Sequence, residues 1–404
     1  MAKLTLRDLN LSGKRCFVRV DFNVPLDERD GAMVITDDTR IKETLPTLKA
    51  LISAGARLIL ASHLGRPKGK PDPKQSLKPI AARLSELLGQ PVAFADDCVG
   101  EATKAKALAL KNGEVLLLEN VRFHAGEEKN DPALAKAMAD LAEVFVNDAF
   151  GSAHRAHAST AGIAAYLPAV SGLLMEKELT YLHDELESPE RPFVVILGGA
   201  KVNDKIEVIN RLLEKADTII IGGGMAYTFR KLVQGISIGR SLYKPEWEPI
   251  AQAALDKAKA RGVKLLIPVD ALITDAFDFD AKKLGVTKLT GVNENIPDGW
   301  EGVDIGPESV KLFAAEIARA KTVVWNGPMG VFEIKESAKG TFDIAHVIAE
   351  NQGAKTIIGG GDSVKAVKKA GVADKVTFIS TGGGASLELL EGKVLPGVAA
   401  LKDK

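Results

Sequence analysis

Short, almost continuously apolar runs alternate with helix-patterned segments along this whole chain, and few folds accept that rhythm. In the first half the runs are Arg15–Val20, Arg57–Ala61, Val92–Ala95, Val115–Leu118 and Val144–Val146. In the second they are Phe193–Leu197, Thr218–Ile221, Lys264–Val269, Thr322–Trp325, Lys355–Ile358 and Lys375–Ile379. Helical patterns lie between them, as at Leu77–Leu88, Pro132–Leu141, Lys205–Lys215, Pro249–Arg261, Pro307–Ala318, Ala338–Glu350, Ser363–Ala370 and Ala385–Leu390. Strands apolar on both faces, separated by helices, belong to parallel sheets covered on both sides. So many strands exceed one comfortable open sheet. The expected class is α/β, with two doubly wound, Rossmann-like parallel-sheet domains and a cleft between them.

The boundary is expected near Pro189 and Pro192, with Leu173–Leu186 as one amphipathic connecting helix. This gives a first domain over 1–170, a hinge over 171–188 and a second domain over 189–390. The uncharged stretch Ala156–Met175 contains His157, Pro168 and Gly172, so it reads as a buried segment joining the domains rather than a membrane span. The 53 basic and 53 acidic residues balance, which argues against bulk nucleic-acid or anionic-membrane binding. Two isolated cysteines, Cys16 and Cys98, and an N-terminus without an apolar core point to a reducing, cytoplasmic setting.

The turns after the runs differ between the halves. Arg19-Val20-Asp21-Phe22-Asn23, Ser62-His63-Leu64-Gly65-Arg66, Glu119-Asn120-Val121-Arg122 and Asn147 to Arg155 carry side-chain donors. Arg19, Asp21 and Asn23 alternate with apolar residues and should project together. An Arg-x-Asp pair alone can be a plain salt bridge. Several arginines converging on one crevice repel one another unless an anion joins them, and the guanidinium fork suits phosphate and carboxylate. His63, beside Gly65 and Arg66, reads as a further anion donor. His154 and His157, three apart, lack a zinc ligand set.

Gly198-Gly199-Ala200-Lys201, Gly222-Gly223-Gly224, Gly359-Gly360-Gly361-Asp362-Ser363 and Gly382-Gly383-Gly384 punctuate the second half. Backbone N–H groups at helix N-termini hold phosphates. Lys201 can reach a transferring phosphoryl group. Asp362 either holds Mg²⁺ against nucleotide oxygens or caps a helix. Neither a Walker P-loop nor a complete Gly-x-Gly-x-x-Gly fingerprint occurs, which weakens a dehydrogenase reading. No general base stands out, as expected if the acceptor is a carboxylate already ionised at neutral pH.

Arg19 to Pro25, Ser62 to Pro67, Leu118 to Phe123, Asn147 to His157, Leu197 to Val202, Val324 to Glu333, Gly359 to Ser363 and Ser380 to Ser386, in this order, resemble the motifs of the phosphoglycerate kinase family in its bacterial form. The resemblance implies reversible transfer between 1,3-bisphosphoglycerate plus ADP and 3-phosphoglycerate plus ATP, with Mg²⁺. It assigns the triose site to Arg19, Asp21, Phe22, Asn23, Arg40, His63, Leu64, Gly65, Arg66, Arg122 and Arg155. Arg40, not evident from strand ends, enters only through the resemblance, as the arginine nearest the transferred group. Lys201 matches the lysine that neutralises that group. Gly199, Lys205, Asn326, Glu333, Gly360, Gly361, Asp362 and Ser363 match nucleotide and Mg²⁺ contacts, with Glu333 on the ribose. Gly222 and Gly223 line the adenine pocket, and Gly382 and Gly383 face the phosphates. Ser152 and Ser363 stand where the family often has threonine, and both keep the hydroxyl. The resemblance also implies a monomer that closes at a hinge and a C-terminal segment, 391–404, packed on the first domain. A non-catalytic descendant of such a kinase would be marked by loss of Arg40, Lys201 or Asp362; all three are present.

Overall fold

The computed structural model describes residues 3–404; Met1 and Ala2, part of the N-terminal stretch read above, lie outside the described residues. Two compact units divide the chain: Met1–Thr180 with Val394–Lys404, and Tyr181–Lys393.

In the first unit the strands are β1 (Arg15–Arg19), β2 (Leu26–Arg29), β3 (Ala32–Ile35), β4 (Arg57–Ala61), β5 (Val92–Ala95), β6 (Val115–Leu118), β7 (Val144–Asn147) and β8 (Ala169–Ser171). Six of them form a parallel sheet in the order β5-β6-β4-β1-β7-β8, while β2 and β3 form an antiparallel hairpin. β1 is central: Arg15 pairs Arg57 on one side and Cys16 pairs Val144 on the other. Val18, Leu60, Leu117 and Val146 on one face and Phe17, Ile59, Leu116 and Phe145 on the other are all fully buried, so both faces of this sheet are dry. The chain runs outward from β1 through β4, then returns to β7 on the opposite side of β1. Ligands of open α/β sheets sit at the carboxyl ends beside such a switch.

In the second unit the strands are β9 (Phe193–Leu197), β10 (Thr218–Ile221), β11 (Lys264–Leu266), β12 (Ala271–Thr274), β13 (Phe277–Asp278), β14 (Lys283–Leu284), β15 (Thr287–Leu289), β16 (Glu301–Ile305), β17 (Thr322–Asn326), β18 (Lys355–Gly359) and β19 (Phe378–Ile379). A second parallel sheet has the order β11-β10-β9-β17-β18-β19, and its switch lies between β9 and β17. Every apolar run read from the sequence is a strand of one of these two sheets. The expected class therefore holds, as two six-stranded parallel sheets.

Three features differ from expectation. The uncharged stretch Ala156–Met175 lies wholly in the first unit and contains β8, so it does not join units. β12, β15 and β16 form a separate antiparallel sheet. Leu173–Leu186 is interrupted: an α-helix over Leu173–Leu179 passes into a π-helical turn over Thr180–Asp184. No helix among the described residues is long and apolar enough to cross a membrane.

Asp148, just past β7, anchors the start of the Leu173–Leu179 helix. Its Oδ1 accepts the N–H groups of Leu174 at 2.9 Å and Met175 at 3.2 Å. Burial nevertheless pushes its carboxyl up to about 6. A carboxyl raised in the fold adds stability below its unfolded pKa and loses it as pH rises through about 6. Asp148→Asn keeps the acceptor oxygen and removes the buried charge. It should stabilise the protein at pH 8 by about 1–3 kcal/mol and have little effect near pH 4. Thermal melts at the two pH values check this; a lower melting temperature for the variant at pH 8 contradicts it.

Candidate functional site

The carboxyl ends of β1, β4, β6 and β7 bring Asp21, Asn23, His63, Arg66, Arg122 and Arg155 to one end of the first sheet. Arg40 arrives from the first turn of the helix Thr39–Ser53, where its Nη1 donates to Asp21 Oδ2 at 2.8 Å. Burial acts to raise the Asp21 carboxyl, but the Arg40 and Arg19 guanidinium groups and the Asn23 N–H outweigh it and hold the group below its usual range. Asn23 Oδ1 accepts the Gly65 N–H at 2.9 Å, and Arg122 Nη1 donates to the Gly65 carbonyl at 2.9 Å. These two bonds fix the loop carrying Leu64 and Gly65. Phe22 is fully buried, and its N–H donates to Ser62 Oγ. Arg122 Nε is buried and makes no hydrogen bond; its nearest counter-charge is Glu128 Oε1 at 3.5 Å, an ion pair that an anionic ligand would have to compete with. Arg66 is exposed, with no hydrogen-bond or ion-pair partner among the described residues. Arg155 is exposed too, its Nε 3.3 Å from His154 Nε2.

Arg19 does not project with Asp21 and Asn23. It is fully buried, with Nε on Ser159 Oγ at 2.8 Å, Nη1 on the Val20 carbonyl and Nη2 3.1 Å from His63 Nδ1. Arginine only donates, so His63 Nδ1 is the acceptor and its proton sits on Nε2. Burial also drives the His63 pKa well below its ordinary value, with the neighbouring arginines adding to that effect. His63 is therefore a neutral donor. Glu127, fully buried, accepts from Ser159 Oγ at 2.6 Å and supplies the counter-charge beneath Arg19. Neither Glu127 nor Ser159 was marked by the strand-end pattern.

In the second unit, the turns after β9 and β17 touch across the switch. A Cβ on Gly198 would lie 1.9 Å from the Pro328 carbonyl oxygen, and one on Gly223, at φ +69°, 2.6 Å from Gly199 N. Both positions therefore require glycine. Beside these turns lies a cavity of about 330 Å³, which brings together Gly199, Gly223, Glu333 and Asp362 of the expected nucleotide residues. Its other walls include Tyr227, Leu242, Phe277, Phe279 and Met329, an apolar slot suited to a flat base. These aromatics were missed, because Phe277 belongs to a two-residue strand with no legible pattern.

Several expected residues lie outside that cavity. Lys201 is exposed, with no hydrogen-bond or ion-pair partner among the described residues. Lys205 Nζ donates to Asn326 Oδ1, and Asn326 Nδ2 is buried without a partner. Ser363 is fully buried, and its Oγ accepts the Gly327 N–H. Gly360, at φ +85°, opens the helix Gly361–Lys369, so Asp362 falls in that helix's first turn rather than at its cap. Its carboxylate is paired with Lys365 at 3.1 Å. Gly222 is packed against Met329; Gly383, at φ +53°, opens the helix Gly384–Leu390 beside Gly382.

Burial pulls the Lys205 ammonium down to about 8, against the opposing pull of Glu391, Asp204 and Asp362. A phosphate binding beside it should therefore feel the loss of its proton in mildly alkaline solution. If ADP binds here as the resemblance implies, its affinity should fall about tenfold between pH 7 and pH 9, and Lys205→Arg should flatten that fall. Calorimetric titration at the two pH values checks it; an equally steep profile in the variant contradicts it.

A family profile described as phosphoglycerate kinase matches residues 6–393. The chain is 58% identical over 411 residues to a phosphoglycerate kinase of Koribacter versatilis, and the match covers all of both chains. It is 56% identical over 407 residues to one of Chloroflexus aggregans, again over all of both chains. Among solved structures, the phosphoglycerate kinase of Coxiella burnetii matches with a TM-score of 0.88 at 41% identity, covering 98% of each chain. That of Pyrococcus horikoshii matches with a TM-score of 0.81 at 33% identity, also over 98% of each. The chain belongs to the phosphoglycerate kinase family, phosphotransferases of glycolysis that act on phosphoglycerate and on ATP or ADP.

Proposed function

We propose that this chain catalyses reversible, Mg²⁺-dependent phosphoryl transfer between 1,3-bisphosphoglycerate and ADP, as a cytoplasmic monomer. The first unit takes the triose and the second the nucleotide. The observation that carries this assignment is the contrast between the two switch points. One gathers arginine forks and a neutral histidine, suited to a small polyanion. The other offers glycine turns and an apolar slot, suited to a nucleoside with a phosphate tail.

In the triose site, Arg66, Arg122 and Arg155 attract and orient the anion, and His63 donates from Nε2. Asp21 orients Arg40, whose remaining donors face the group in transfer. Arg19, on Ser159, holds His63 in its tautomer. In the nucleotide site, Phe277, Phe279, Tyr227 and Leu242 sandwich the base and Glu333 accepts from the ribose. Lys205 and the N–H groups at Gly360, Gly361, Gly382 and Gly383 meet the phosphates. Lys201 neutralises charge on the phosphoryl as it passes. The acceptor carboxylate is already ionised at neutral pH, so positioning and charge stabilisation carry the rate. Transfer in line also requires both substrates to be brought together with water excluded, which a hinge motion between the units would provide.

Mg²⁺ fits the residues present. Asp362 offers a hard oxygen ligand at the rim of the nucleotide cavity, and its ion-pair partner Lys365 is exposed and easily displaced. When bound, the ion neutralises charge on the nucleotide phosphates. The test is direct: 3-phosphoglycerate and MgATP are supplied and the acyl phosphate is trapped with hydroxylamine. Turnover that requires both substrates supports the reading. A folded, inert protein overturns it.

A further inference from the structure

One cluster in the first unit has no part in that reaction. Asp97, Cys98 and His124 place a carboxylate oxygen, a thiol sulfur and an imidazole nitrogen within 4.8 Å of one another. We propose that these three residues form a binding site for a borderline-soft divalent cation of the Zn²⁺ class, with a fourth position open to water.

The ligand types carry the chemistry. Thiolate with imidazole selects Zn²⁺ and its neighbours over Mg²⁺ or Ca²⁺, which prefer oxygen. Three protein ligands with one open position is an established zinc arrangement. The backbone holds all three in place. Asp97 Oδ1 accepts the Cys98 N–H at 2.6 Å, and Thr103 Oγ1 donates to the Asp97 carbonyl at 3.0 Å. The loop after β5 is thus tied to the helix Glu101–Ala109 that follows it. His124 ends the turn Val121–Phe123, with its N–H on the Val121 carbonyl. Its Nε2 already lies 2.6 Å from Asp97 Oδ1. Metal–ligand bonds of about 2.0–2.3 Å in a tetrahedron set neighbouring ligand atoms about 3.3–3.7 Å apart. Entry of an ion therefore asks this pair to separate by about 1 Å, and the Cys98 thiol proton leaves to water.

Access and charge agree with a cation. Asp97 and His124 are on the solvent side and Cys98 is at the buried base. Asp97 and His124 line a cavity of about 860 Å³ whose walls also carry Asp72, Asp96 and Glu119, against one lysine, Lys78. That field draws cations to the open position. A plain ion pair between Asp97 and His124 accounts for two of the three groups, but it predicts no metal binding that depends on the thiol.

Tag-free protein, stripped with a chelator, is titrated with Co²⁺ in excess Mg²⁺, and the same is done with Zn²⁺ by calorimetry. One equivalent should bind, with the near-ultraviolet thiolate-to-cobalt band and the visible bands of a tetrahedral site. Cys98→Ser should abolish the thiolate band, and His124→Ala should weaken affinity at least about tenfold. His124 is partly exposed, so its variant decides the matter if Cys98→Ser fails to fold. No saturable binding overturns the proposal. So does binding without a thiolate band, or binding left unchanged by His124→Ala.

Discussion

Replacing Arg40 by alanine should lower turnover by about 10³-fold or more while leaving the fold intact, the loss typical of a lost arginine on a transferring phosphoryl group. At about 1.4 kcal/mol per tenfold, this corresponds to about 4 kcal/mol of transition-state stabilisation. The geometry says why the loss should fall on kcat. Arg40 is partly exposed and uses Nη1 on Asp21 at 2.8 Å, with no other hydrogen bond from its fork among the described residues. In the proposed triose site Arg66, Arg122 and Arg155 would remain to bind the substrate, so KM for 3-phosphoglycerate should move much less. Arg40→Lys keeps the charge but not the planar fork, so it should recover only part of the rate. Steady-state kinetics with circular dichroism on each variant decides the point. Near-normal kcat in Arg40→Ala removes the residue from the reaction.

Lys201→Ala should be the second most damaging change, with kcat down by about 10²–10³-fold, the loss expected of one charge-stabilising donor. Lys201 follows the Gly198-Gly199 turn at the β9 switch and precedes the short turn Val202–Asp204. It is exposed, and among the described residues nothing binds its ammonium, so its removal leaves no orphaned partner and no destabilised fold. In the proposed site the nucleotide base and ribose would meet Phe277, Phe279 and Glu333 rather than Lys201, so ADP affinity should change less than about fivefold. A large loss of ADP affinity with kcat preserved would instead make Lys201 a ground-state phosphate contact.

Strand positions were legible because parallel strands are buried on both faces and so read as continuous apolar runs. β8 escaped notice because it is three residues long and sits in a stretch with no charged residues to mark its ends. β13 and β14 are two residues each, too short for any period to register. That is why Phe277 and Phe279, which shape the base slot, could not be anticipated. Arg40 lay beyond strand-end reasoning because a helix delivers it and an ion pair with Asp21, nineteen positions earlier, aims it. Period-two alternation placed Arg19 on a face with Asp21. It could not foresee that Ser159, 140 positions downstream, would draw the guanidinium inward. The same blindness to long-range contact hid the approach of His124 to Asp97.

Arg40 and Lys201 are proposed to act on one phosphoryl group, and a double-mutant cycle on kcat for acyl-phosphate formation decides whether they do. If both stabilise the same transition state, the fold-loss of the Arg40→Ala/Lys201→Ala enzyme should be well below the product of the two single fold-losses, with a coupling energy of about 1–3 kcal/mol. Strictly multiplicative losses, with coupling within about 0.5 kcal/mol of zero, would mean that the two residues serve separate events and do not share a phosphoryl group.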